Sequence, residues 1–93
     1  MYVVVNHVIA DPDAFWSMVP DKASNIPSHL KLHAIFPSKD SLRCICLWEG
    51  ESPDAVNEFL RESLGDLSRD ELFEINTKAA VGLPSLMVGM SSL

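Results

Sequence analysis

Apolar residues recur along this chain with two different periods. Runs rich in β-branched and aromatic residues at 2–9 (YVVVNHVI), 30–36 (LKLHAIF), 43–48 (RCICLW) and 72–81 (LFEINTKAAV) predict four strands. Between them a helical period takes over. Val56, Phe59, Leu60 and Leu64 mark one face of a helix that Gly65 should stop, and Phe15, Trp16 and Val19, with Ala23 beyond them, mark an earlier stripe. Pro20 is expected to end or kink that earlier helix, because it has no N–H to donate and its ring crowds the preceding turn.

The two helix starts are near copies of each other. In "ADPDAFW" (10–16) and "ESPDAVNEF" (51–59), Asp11 and Ser52 are strong N-cap residues, and Pro12 and Pro53 sit at the first helical position, where a missing N–H costs nothing. Asp13 and Asp54 then place an anion in the first turn, where the helix dipole favours it. Ser68 and Glu71 have capping-box spacing, which predicts one more short helical turn before the last strand. "PSKDS" (37–41) reads as a polar hairpin turn. The order is therefore βαββαβ, a duplicated half. It predicts an α+β, ferredoxin-like fold with a four-stranded antiparallel sheet and both helices on one face.

That architecture leaves the other face of the sheet bare, yet the first and third strands are apolar at both parities. Val4 and Val8 oppose Val3, Val5 and Ile9, and Ile45 and Leu47 oppose Cys44, Cys46 and Trp48. A sheet apolar on both faces needs cover on both, so two copies are expected to pack sheet against sheet as a homodimer. Pairing Phe36 with Leu42 across the turn puts Leu30, Leu32, Ala34 and Phe36 on the helix side with the cysteines and Trp48. The same register sends His29, Lys31, His33, Ile35, Arg43, Ile45, Leu47 and Glu49 to the dimer side.

Composition narrows the functional classes. The chain has 93 residues, 47% of them hydrophobic and 22% charged, which suits one domain at 1–83 with an apolar tail at 84–93. Leu86, Met87, Val88 and Met90 predict that the tail docks on its own dimer or on a neighbouring subunit. Thirteen acids against seven scattered bases, a net charge of −6, argue against a nucleic-acid partner. No apolar run approaches the roughly 18–20 residues of a membrane span, and "MYVVVNHVIA" lacks the features of a signal peptide, so a cytoplasmic location is expected. Cys44 and Cys46 accordingly read as reduced core thiols.

The first strand with "VVNHVI", the hairpin second strand, the third strand closing in "CLWEG" and the helix opening with "SPDAVNEF" make residues 1–83 resemble the dimeric α+β barrel superfamily. The resemblance implies a ferredoxin-like homodimer with sheets packed face to face. Relatives of that kind include cofactor-independent and haem-degrading monooxygenases, muconolactone-isomerase-like enzymes, stress-responsive barrels and small uncharacterised proteins, some of them metal-binding. Asn6 and Trp48 resemble an Asn and a Trp of the haem-degrading members; their His on the second helix has no counterpart in "SPDAVNEFLRESLG". Fold alone does not choose among these activities.

Two alignments compete for the first strand. Superposing the duplicated halves makes His7 equivalent to Trp48, on the helix side, whereas the haem-enzyme resemblance puts Asn6 there; strict alternation allows only one, and His7 is preferred. His7 suits a general base, a proton shuttle or a metal ligand, and Trp16 and Trp48 suit the wall of a ligand cavity. His7 and His33 are the candidates for a metal ion, with His33 and the thiols on opposite faces. Asp66, Asp70, Glu71 and Glu74 read as a solvated acidic face. No glycine-rich phosphate loop, nucleotide fingerprint or Ser/His/Asp triad is present, and no cofactor is named by the sequence. Three readings follow: a binding protein for a small apolar ligand or a metal ion, a cofactor-independent monooxygenase- or isomerase-like enzyme acting on a small aromatic-like substrate, and a structural dimer with a filled core. An enclosed cavity lined by both His7 and Trp48 would favour the enzyme.

Overall fold

The computed structural model describes residues 1–84. Strand β1 (Tyr2–Ile9) leads into helix α1 (Pro12–Ser24), then β2 (Lys31–Pro37), β3 (Arg43–Glu49), helix α2 (Pro53–Leu64), a 3₁₀ turn (Gly65–Leu67) and β4 (Ser68–Glu74). The sheet order is β2-β3-β1-β4, with every neighbouring pair antiparallel. The two duplicated junctions cap as their sequences predict. Asp11 Oδ1 accepts from Ala14 N at 3.2 Å and Ser52 Oγ from Ala55 N at 3.1 Å. Gly65 ends α2 at φ 54°, a conformation open to glycine and costly for most other residues.

Both helices lie on one face of the sheet. Val3, Val5 and Ile9 from β1, Cys44, Cys46 and Trp48 from β3, Phe15 from α1, and Val56, Leu60 and Leu64 from α2 belong to one buried cluster. His7 shares that side of β1 and is 1% exposed. The opposite face keeps Val8, Phe36, Ile45 and Phe73 exposed.

Five sequence expectations change. Helix α1 continues through Pro20 to Ser24. Proline in a helix interior costs about 3 kcal/mol, which is offset by Phe15 and Val19, drawn into the core on the same helix; the carbonyls of the last turn find donors beyond the helix ladder. Ser24 Oγ donates to Pro20 O at 2.9 Å, Asn25 Nδ2 to Asp21 O at 2.7 Å and Asn25 N to Lys22 O at 3.2 Å. In β2, a bulge between Leu32 and Ala34 changes the faces predicted beyond it. Leu32 faces Trp48 as expected, but Ile35 then pairs with Cys46 and joins the helix side, while Ala34 and Phe36 pair with Leu47 and Ile45 and turn to the open face.

The last strand runs over Ser68–Glu74 rather than 72–81, and the helical turn before it is Gly65–Leu67. Ser68 therefore starts no helix: it follows the 3₁₀ turn and opens β4 opposite Ile9. The segment "SRDELFE" is poor in β-formers, and it is held as an edge strand by its ladder to β1. That register also removes Asp70 from the solvated acidic face, since it pairs with His7 across the ladder. Leu86, Met87, Val88 and Met90, on which the docking of the tail was expected to rest, lie outside the described residues. Among the described residues no helix is long and apolar enough to cross a membrane.

Candidate functional site

His7 is a buried polar side chain on an otherwise apolar strand face, and a group in that position needs a partner. Asp70 supplies it. His7 Nδ1 lies 2.6 Å from Asp70 Oδ1, with the two side chains 2% and 11% exposed, and Ser68 Oγ donates to the same carboxylate oxygen at 2.7 Å. All three residues are placed by strand registers: His7 stands opposite Asp70 on one side and opposite Cys44 on the other, and Ser68 stands opposite Ile9. Burial pushes the Asp70 carboxyl up, but the hydrogen bonds from His7 and Ser68, with the charge of His7, outweigh it and hold the group below its ordinary value. A carboxylate on Nδ1 fixes the imidazole and leaves Nε2 as the nitrogen for chemistry.

The His7 ring is also packed edge-on against Phe15, 5.5 Å between centroids, and Phe15 in turn against Trp16 at 5.0 Å. Between sheet and helices is a cavity of about 50 Å³, lined by His7, Phe15, Ile35, Cys44, Cys46 and Trp48 among others. Its lining runs out to part-exposed Lys22 and Ser63 and exposed Ala23, where it reaches solvent between α1 and α2. Trp48 is buried edge-on to Phe59 at 5.7 Å, and its Nε1 has no hydrogen-bond partner among the described residues.

The two thiols form a second chemical feature of the same wall. Cys44 and Cys46 share one face of β3, with their sulfurs 3.6 Å apart. The hydrogen bond shared with Cys46 pulls the Cys44 thiol below the ordinary cysteine range, against its burial and with help from the charge of His7. Cys46 is pushed up by the same bond, by burial, and by the charges of Cys44 and Asp70.

Of the residues singled out in the sequence, His7 and Trp48 come together at the cavity and Asn6 and Trp16 do not line it. Asn6 is on the open side of β1, facing Ile45 and Glu71. Trp16 donates from Nε1 to Ser41 O at 2.9 Å and ties α1 to the β2–β3 turn. His33 belongs to the open side, where its Nε2 lies 2.9 Å from Glu49 Oε1 and its ring 5.5 Å from that of Tyr2. That hydrogen bond holds the Glu49 carboxyl below its ordinary range. The sheet thus separates His7 from His33, and among the described residues no three His, Cys, Asp or Glu side chains are grouped as metal ligands. Asp70 is the residue of this candidate site that sequence reasoning placed elsewhere. Its signal was available only through the register of a strand whose composition does not announce it.

Comparison with protein-family models, with curated proteins and with solved structures found no match to this chain.

Proposed function

We propose that this protein binds a small, largely apolar molecule in the cavity between its sheet and helices. The observation that carries the reading is the character of the lining: aliphatic, aromatic and thiol side chains surround one fixed imidazole, and the Trp48 indole N–H has no acceptor among the described residues. Few convergent polar groups in an apolar wall are the usual make-up of a small-molecule site. Size sets the ligand class. A void that holds benzene measures about 150 Å³, so about 50 Å³ takes a molecule of a few heavy atoms unless α1 and α2 part.

A second reading, an isomerase- or monooxygenase-like enzyme, is favoured by the His7–Asp70 pair and by a cavity that His7 and Trp48 both line, although that cavity opens to solvent rather than being enclosed. An imidazole oriented by a buried carboxylate is a general base in search of a substrate proton, and such a base contributes roughly 10²–10⁴ in rate. An aromatic-like substrate would need the cavity to open about threefold by the same comparison.

The open face extends the proposal to assembly. Phe36, Ile45 and Phe73 are 64%, 40% and 53% exposed, and with Val8 they form an apolar surface that a second sheet would cover. We therefore propose that the chain forms a homodimer of the dimeric α+β barrel type. Native mass spectrometry of the untagged protein tests the bound ligand and the dimer together. A dimer carrying a small-molecule mass that His7→Ala releases supports the binding reading; a bare monomer at micromolar concentration removes the dimer and the superfamily assignment with it.

A further inference from the structure

The binding reading uses His7 and Trp48 and leaves the thiol pair unexplained. Two cysteines on one face of a strand, in sulfur contact at 3.6 Å, are close to the geometry of a bond without having formed one. Along an extended strand, residues i and i+2 are about 6.6–6.8 Å apart at Cα. Disulfides bridge roughly 4.4–6.8 Å, so closure here lies at the upper limit and must shorten the strand locally. A bridge made under such strain is oxidising and readily reduced again, the property of a switch or a catalyst rather than of a structural staple.

The surroundings supply the rest of the chemistry. Cys44 lies directly across the β1–β3 ladder from His7, both line the cavity, and the cavity reaches solvent near Ala23. We infer that Cys44 and Cys46 form a redox-active dithiol, which a small hydroperoxide entering the cavity oxidises to a reversible disulfide. Cys44 is the attacking sulfur. Its thiolate forms a bond to the terminal peroxide oxygen, the O–O bond breaks, and the departing oxygen takes a proton by way of His7 to leave as water or an alcohol. Sulfur is oxidised by two electrons to a sulfenic acid and the peroxide is reduced by two. Cys46 then attacks the Cys44 sulfur, the S–O bond breaks, and hydroxide leaves with the Cys46 proton as water. The balance is two thiols and one hydroperoxide in, one disulfide, one water and one water or alcohol out. A thiol reductant such as glutathione restores the pair.

The assignment of roles follows from the position of the two sulfurs relative to His7. Cys44 stands directly opposite His7 across the β1–β3 ladder, beside a group that can take up its proton, and Cys46 stands two residues along the same face with its sulfur in reach of Cys44. Hydrogen peroxide is small enough for the cavity as it stands, so this chemistry requires neither the ligand nor the substrate of the proposed function.

The test is stopped-flow oxidation of the fully reduced protein by hydrogen peroxide, with intact mass and peptide mapping of the product. The native chain is expected to lose two hydrogens, both within the peptide that holds Cys44 and Cys46, about tenfold faster than the same chain in urea. Glutathione should return it. Cys46→Ser should stop at a sulfenic acid on Cys44 that dimedone traps, and Cys44→Ser should react at least about tenfold more slowly than wild type. Should either variant fail to fold, the wild-type product decides. No oxidation beyond the unfolded rate, a disulfide between chains, or a Cys44→Ser variant as fast as wild type would each overturn the inference. A chain that oxidises in this way but carries no ligand would leave it standing while removing the binding reading.

Discussion

Removing the Asp70 carboxylate by Asp70→Ala strips the buried His7 of the partner that orients it. The substitution deletes a charge-assisted hydrogen bond of 2.6 Å between side chains 2% and 11% exposed. Bonds of that kind contribute about 1.5–3 kcal/mol, and the ring nitrogen left behind in an apolar wall cannot find a replacement in solvent. Ser68, which also bonds Asp70, is partly exposed and can turn to water, so it adds little. The expected destabilisation is about 2–3 kcal/mol. With a urea slope of roughly 1.5 kcal/mol/M for a chain of this size, the midpoint should fall by about 1.3–2 M at neutral pH. Glu71→Ala, one residue on and exposed on the open face, is the control and should stay within about 0.5 kcal/mol of wild type. The pH dependence adds a second condition. Because the folded carboxyl lies below its ordinary value of 3.8, its contribution is complete above that value and is lost as pH falls through the lower, folded one. The gap between wild type and Asp70→Ala should therefore persist from neutral pH down to about pH 5 and close only under stronger acid. If Asp70→Ala matches Glu71→Ala in urea at neutral pH, His7 is not held as described and the case for a fixed base collapses.

Further predictions probe the cavity, a close approach and the open face. Leu60→Ala, at a side chain 4% exposed that lines the cavity, should cost about 2–5 kcal/mol and enlarge the void enough for xenon or benzene to shift methyl resonances in NMR titrations. Gly50→Ala would set a Cβ 2.8 Å from Leu30 Cδ2, a side chain buried in the core, and should lower stability by about 1–3 kcal/mol in chemical denaturation. Ile45→Lys on the open face should leave the fold intact by circular dichroism and, if the sheet is the dimer surface, yield a monomer by light scattering.

The local chemistry of this chain was easier to read than its registers. Strand β1 and helix α2 fall where alternation, Pro-Asp caps and Gly65 place them, because each signal is short-range and every element of it agrees. Two apolar parities likewise announced a sheet with something to cover on each side. What could not be read depended on contacts distant in sequence. Pro20 is tolerated because Phe15 and Val19 hold the helix from the core, a bulge at His33 is invisible to a period-two count, and β4 is a strand because β1 offers it a ladder. Asp70 followed from that last error: assigned to no strand, it had no reason to meet His7.

The bulge in β2 also bears on how this sequence tolerates length changes. A one-residue deletion inside a strand normally turns every following side chain to the wrong face. Here Leu32 pairs with Trp48 and Ala34 with Leu47, so His33 is the residue the ladder does not count. Its deletion would leave Leu32 and Ile35 on the helix side and Ala34 and Phe36 on the open side, while removing the bond to Glu49 and the ring packing on Tyr2. Position 33 is thus a place in the sheet where homologous chains can differ by one residue and keep the same core, and an alignment that spreads the gap elsewhere would pair the wrong faces.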